Sequence, residues 1–106
     1  NLSDYQEVKS YTFNLEGGNE RQVDIWAHSY TEGQDLFCEI KNWKKKVDKN
    51  EVKRFVDKVK DLKSMNIEGY FIYYALSGFT DSAQKLLKKN KIMYTDWDTW
   101  QIEVYK

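Results

Sequence analysis

Proline is absent from the 106 residues, and cysteine and histidine occur once each, as Cys38 and His28. The lone cysteine excludes an intramolecular disulfide and any cysteine-rich zinc site. The lone histidine excludes a histidine-cluster metal centre and a chain of histidine relays. Any metal held by this chain must therefore take mostly oxygen ligands. No apolar run approaches the roughly 20 residues of a membrane-spanning helix. No signal-peptide pattern is present either, so the expected location is cytoplasmic. Repeats, low-complexity tracts and internal linkers are also lacking. What remains is rich in bulk and charge, with 4 Trp, 8 Tyr and 5 Phe, and 32% charged residues. That mix folds into a globule, since a disordered chain has few aromatics. The length suits one domain with one modest core. Residues 1–106 start at Asn1 without a Met and are expected to be a single domain excised from a longer protein, fused there to further domains.

Charge is balanced overall, 17 basic against 17 acidic, yet polarised along the chain. Residues 1–40 carry eight acids and two bases; residues 41–63 carry ten bases and four acids. A neutral protein is not ordinarily read as a nucleic-acid binder. A basic segment beside an acidic one can nevertheless hold an anion locally.

Three strands are expected first. Residues 5–14 alternate loosely, Glu16-Gly17-Gly18-Asn19 reads as a two-glycine hairpin turn, and residues 20–29 form the return strand. There Val23, Ile25 and Ala27 face one way, and Asp24, Trp26 and His28 the other. After a turn over 30–35, residues 36–43 set Leu36, Cys38 and Ile40 on an apolar face. Phe37, Glu39 and Lys41 lie on the opposite one. The apolar set reads as the core side, with Cys38 buried there.

The period then changes. Val52, Phe55, Val56, Val59 and Leu62 form a helical stripe within 48–65. Asp48 and Glu51 have capping-box spacing at its start. Residues 70–76 are apolar on both faces, as expected of a central strand covered on both sides. Ser77-Gly78-Phe79-Thr80 leads into a second helix over 81–89, with Asn90 as its C′ residue. Residues 92–95 and 100–105 complete the set. The order β-β-β-α-β-α-β-β predicts an α/β fold: an antiparallel meander feeding a βαβ crossover, hence a mixed sheet flanked by helices.

Glu39 and Lys41, two apart on a strand, share a face. If the 30–35 turn closes with an even number of residues, Asp24 lies opposite Glu39 and two carboxylates meet one ammonium. An odd loop puts Cys38 opposite Asp24 and separates the carboxylates. Two adjacent carboxylates raise each other's cost of ionisation. A hard divalent cation, typically Mg2+, removes that cost through oxygen ligands, and the main-chain carbonyl of Ile40 offers a third. Such an ion acidifies a bound water and screens a phosphate, while Lys41 orients that water or stabilises the developing charge. The plainer reading of Glu39 and Lys41 is a same-face ion pair on a solvated strand.

Asp24-x14-Glu39-Ile40-Lys41 resembles the PD-(D/E)xK signature of the restriction-endonuclease-like nuclease superfamily, with Val23 at the proline position. An apolar strand precedes the Glu39-x-Lys41 triplet, and a basic amphipathic helix follows it. A hydrophobic strand and Ser77-Gly78-Phe79-Thr80 come next. This set is most similar to the Mrr-type and Holliday-junction-resolvase-like branch. The resemblance implies a restriction-endonuclease-like fold and a Mg2+- or Mn2+-dependent DNA endonuclease, with Asp24 and Glu39 as metal ligands and Lys41 as the catalytic lysine. It also implies DNA as substrate and a homodimer as the working form, without a membrane partner. The alternative is a catalytically inactive module of the same fold that binds DNA or protein.

Lys44, Lys45, Lys46, Lys49 and Lys53 follow the triad closely and are read as phosphate contacts, against a plain role in solubility. Lys85, Lys88 and Lys89 read as a solvated face. His28 shares a face with Asp24 and reads either as a substrate contact or as a hydrogen-bonded structural residue. Trp26 and Trp43 flank the triad, for base stacking or for packing. Trp97 and Trp100 read as core or interface residues.

Overall fold

The computed structural model describes the backbone of residues 5–14, 20–29 and 34–96, and the side chains of 24–28 and 34–96. The 16–19 turn, most of the 30–35 turn, Trp97, Trp100 and the 100–105 strand lie outside the described residues.

Three strands come first: β1 (Tyr5–Asn14), β2 (Glu20–Ser29) and β3 (Asp35–Lys41). They are joined antiparallel as a meander. Helix α1 (Lys49–Ser64) then carries the chain over to β4 (Gly69–Ala75), which lies parallel to β3. Helix α2 (Asp81–Lys89) repeats the step to β5 (Met93–Thr95), parallel to β4. Among the described residues the result is a five-stranded mixed sheet in the order β1-β2-β3-β4-β5.

Both helices form where the stripe and caps require. The Asp48 carboxylate accepts the Glu51 N–H at 3.1 Å, satisfying one amide that the first turn leaves open. Glu51 pairs with Arg54 at 3.4 Å. At the other end Asn66 is left-handed (φ 61°), and the Ile67 N–H reaches back to the Leu62 carbonyl at 3.1 Å, a Schellman closure. Helix α2 is capped by the Thr80 hydroxyl, which accepts from the Ala83 N–H at 3.2 Å. Its C-cap is Asn90, and the left-handed C′ position falls to Lys91 (φ 55°). The C′ position thus lies one residue beyond the one expected from the sequence.

The two crossovers step the same way across the sheet, so both helices lie on one face. Phe37, Phe71, Tyr73, Ala75 and Tyr94 from that face join Val52, Phe55, Val59, Leu62, Ala83 and Leu87 in a single buried cluster. This corrects two expectations. The helices cover the Phe37 and Glu39 side of β3, and the Leu36, Cys38 and Ile40 side is only half-buried. Likewise β4 buries Phe71, Tyr73 and Ala75, while Tyr70, Ile72 and Tyr74 stay half-buried.

Candidate functional site

The β2–β3 register sets Ile25 against Cys38, Trp26 against Phe37 and Ala27 against Leu36. This is the even-loop register, and its described pairs stop one short of Asp24, where β2 bulges against β1 between Val23 and Trp26. The Asp24 charge acts on Glu39 and on Cys38 alike. The Asp24 carboxylate accepts the Ile40 N–H at 2.7 Å, which ties the middle of β2 to the strand carrying Glu39. Asp24 is exposed, whereas Glu39 is buried with a side-chain exposure of 11%.

Glu39 makes its ion pair with a residue that the sequence did not single out. Lys58, on the sheet-facing flank of α1, donates from Nζ to Glu39 Oε1 at 3.0 Å and is itself only 17% exposed. The available signal was spacing, since Lys58 lies three residues after Phe55 and four before Leu62. A lysine beside an apolar stripe ordinarily reads as solvated. The Glu39 carboxyl is held above its usual range, first by burial. Lys58 acts against that shift by charge and hydrogen bond, Asp24 adds to it, and Lys41 opposes it. The plain Glu39–Lys41 surface pair is thus replaced by a buried pair to α1. Lys41 is half-buried, with Nζ 5.2 Å from the centre of the Trp43 ring.

Strand β3 ends at Lys41, so Trp43 lies beyond it and packs against the buried cluster under both Lys41 and Lys45. Lys44, Lys45 and Lys46 are exposed on the loop before α1, and Lys49 and Lys53 are exposed on its first turns. This loop is held firmly. The Val47 N–H donates to the Gly78 carbonyl at 2.9 Å, and the Thr80 N–H donates to the Val47 carbonyl at 3.0 Å. The Ser77 hydroxyl donates to the Trp43 carbonyl at 2.7 Å. Gly78 adopts φ 81°, a conformation that suits glycine.

Trp26 and His28 belong to a different part of the same face. The Trp26 indole N–H donates to Asp35 Oδ2, and His28 Nδ1 hydrogen-bonds Asp35 Oδ1, both at 2.8 Å. Asp35 opens β3, about 13 Å along the strand from Glu39 at ~3.3 Å per residue. Trp26 also packs against the buried cluster. The Cys38 thiol points from the opposite face, and burial followed by the Asp24 charge pushes its pKa up to about 11. It is therefore a protonated thiol at neutral pH, unlike an activated nucleophile.

The donors around Glu39 are hard oxygens, suited to Mg2+ and unsuited to zinc or copper. The ammonium of Lys58 marks where a cation sits against Glu39. Among the described residues no three His, Cys, Asp or Glu side chains gather as a metal-binding group. An ion here would draw on the two carboxylates together with main-chain oxygen and water, as Mg2+ commonly does. No helix among the described residues is long and apolar enough to cross a membrane.

Solved structures share this architecture. A protein of unknown function superposes with a TM-score of 0.69 at 16% identity, over 86% of this chain and 49% of that one. EndoMS in its apo form gives 0.60 at 16%, over 93% and 42%. A repair endonuclease from Pyrococcus abyssi gives 0.54 at 23%, over 87% and 39%. The likeness is one of fold, and the chain spans half or less of the length of each. No curated protein matches it. Residues 3–101, nearly the whole sequence, match the restriction endonuclease family Mrr_cat, and the chain belongs to that family.

Proposed function

We propose that the chain is the nuclease domain of a Mg2+-dependent DNA endonuclease. Asp24 and Glu39 hold the ion, with the Ile40 carbonyl as a further oxygen ligand. When bound, the ion supplies Lewis-acid polarisation of a phosphate oxygen and an acidified water. The remaining work falls to the chain's own groups. Lys41, on the Glu39 face and braced by the Trp43 ring, places an ammonium beside the reacting phosphate, where it stabilises charge as it develops. Asp24 is oriented by the Ile40 N–H, so its free oxygen is aimed before any ligand arrives. Lys44, Lys45, Lys46, Lys49 and Lys53 take the backbone of the duplex as point charges, a contact that weakens as salt rises.

The observation that carries this reading is the buried Glu39 carboxylate, with the Asp24 charge bearing on it and Lys41 two residues along the same strand. Family membership supports nuclease chemistry. One solved structure of similar fold, EndoMS, is a complex with double-stranded DNA (TM-score 0.54, 18% identity), which supports DNA as the partner. The greater length of the matched structures supports a domain built into a longer chain, and the homodimer is carried by the family resemblance alone.

The test is cleavage of plasmid and branched DNA with and without Mg2+. Glu39→Ala and Lys41→Ala each lower the rate by roughly 100–1000-fold, the scale for removing one transition-state contact. Equal cleavage by both variants and the parent removes the assignment. A binding module that does not cut is favoured by one observation, the Lys58 ammonium seated on Glu39. It predicts salt-dependent DNA binding with no carboxylate-dependent uptake of Mg2+.

A further inference from the structure

We propose that Lys58 is a built-in counter-ion for the divalent cation, sitting against Glu39 in the metal-free chain and leaving Oε1 when the ion binds. This rests on the reading above, in which Asp24 and Glu39 are the ligands. Four features of the site lead to it.

Glu39 lies under α1, where an isolated carboxylate is costly. In the metal-free chain that cost is offset chiefly by one group, the ammonium 3.0 Å from Oε1. A Mg2+ ion would sit about 2.1 Å from the oxygens it binds, so the two cations compete for one carboxylate at close range. Lys58 can yield, since its flexible four-carbon stem starts from a helix flank and its side chain keeps 17% exposure to water. Lys41 is not equivalent. It lies on the strand two residues from Glu39 and over the Trp43 ring, and makes no ion pair with Oε1.

Helix α1 thereby acquires a role besides covering the sheet. It stabilises the vacant carboxylate pair and sets how tightly a cation must bind to displace it. Binding of the ion and pairing of Lys58 are linked events of opposite sign, and each weakens the other by the same factor.

Calorimetric titration of the full chain with Mg2+ alone, without DNA, tests this. Lys58→Met is expected to bind on the order of tenfold more tightly than the parent, within the roughly 5–150-fold span of such couplings. Lys58→Arg, which keeps the charge, stays near the parent, and Glu39→Gln binds in neither background. Equal or weaker binding by Lys58→Met, with binding still lost in Glu39→Gln, overturns the counter-ion role and leaves the metal reading standing. No binding by parent or Lys58→Met overturns both.

A second measurement needs no substitution. In 15N-labelled parent the Lys58 ammonium signal, protected by its pair, should move to the position of exposed lysines as Mg2+ saturates. An unchanged signal at saturation overturns the proposal.

Discussion

Replacing Lys58 by methionine isolates the electrostatic part of the contact between α1 and the sheet. Methionine keeps an unbranched stem and good helix propensity and removes one charge. At pH 7 the Glu39 carboxylate would then face α1 without its partner, with Asp24 still repelling it. Removing one member of a fully buried pair costs about 3–5 kcal/mol. Here the two side chains keep 17% and 11% exposure, and Lys41 still favours the charged form. A loss of about 2 kcal/mol is therefore expected, a fall in Tm of roughly 8–16 °C for a domain of this size.

The pH dependence carries the sign. Glu39 already has a folded-state pKa above its ordinary value, and loss of Lys58 raises it further. An acid of this kind contributes its full stability below the unfolded value and loses it as pH rises through the folded one. The gap between parent and Lys58→Met should then be small near pH 4, where Glu39 is protonated in both, and open towards pH 7. Thermal melts by circular dichroism at pH 4, 5.5 and 7 measure it. Equal Tm values at pH 7, or a gap as wide at pH 4, would refute the reasoning.

Three further outcomes are expected. Gly69→Ala would set a Cβ 2.3 Å from the Asp35 carbonyl oxygen and 2.9 Å from the Phe37 ring, forcing β3 and β4 apart at their start. A loss of about 3 kcal/mol in urea denaturation is expected, and an unchanged midpoint contradicts the register. The Tyr73 hydroxyl is buried with no hydrogen-bond partner among the described residues. Tyr73→Phe should therefore leave stability unchanged or raise it by up to ~1 kcal/mol, and a clear loss in the same assay reveals a partner. Replacing Lys44, Lys45 and Lys46 together by glutamine should lower the slope of log affinity for duplex DNA against log salt by up to ~3, near 0.9 per phosphate contact. A slope equal to the parent's removes those lysines from the interface.

The helices were legible because local signals sufficed. The stripe from Val52 to Leu62 and the Asp48 cap place a helix over 48–65, and the structure has it over Lys49–Ser64. The β2–β3 register was legible only as one of two, since the parity of the 30–35 turn is not written in local propensity. The choice of core face was misread. Leu36, Cys38 and Ile40 form the more uniformly apolar set, yet Phe37 next to Glu39 is the residue buried under the helices. The hand of the two crossovers, which local polarity does not report, sets the covered face and takes a carboxylate under α1. Lys58 was missed for the same reason, because its partner was expected on a solvated surface. Residue types name the chemistry of Asp24, Glu39 and Lys41, but only the tertiary pairing shows which cation answers which acid.

The stitching of the 42–48 loop to the exit of β4 has its own consequence. With Val47 bonded on both sides to Gly78 and Thr80, and Trp43 held by Ser77, the lysines project from a segment whose path is already chosen. A polyanion arriving there would meet a shape fixed in advance, and little disorder would be surrendered on docking. Strength of grip would then track the integrity of another loop, Ser77 to Thr80, as closely as it tracks the lysines themselves.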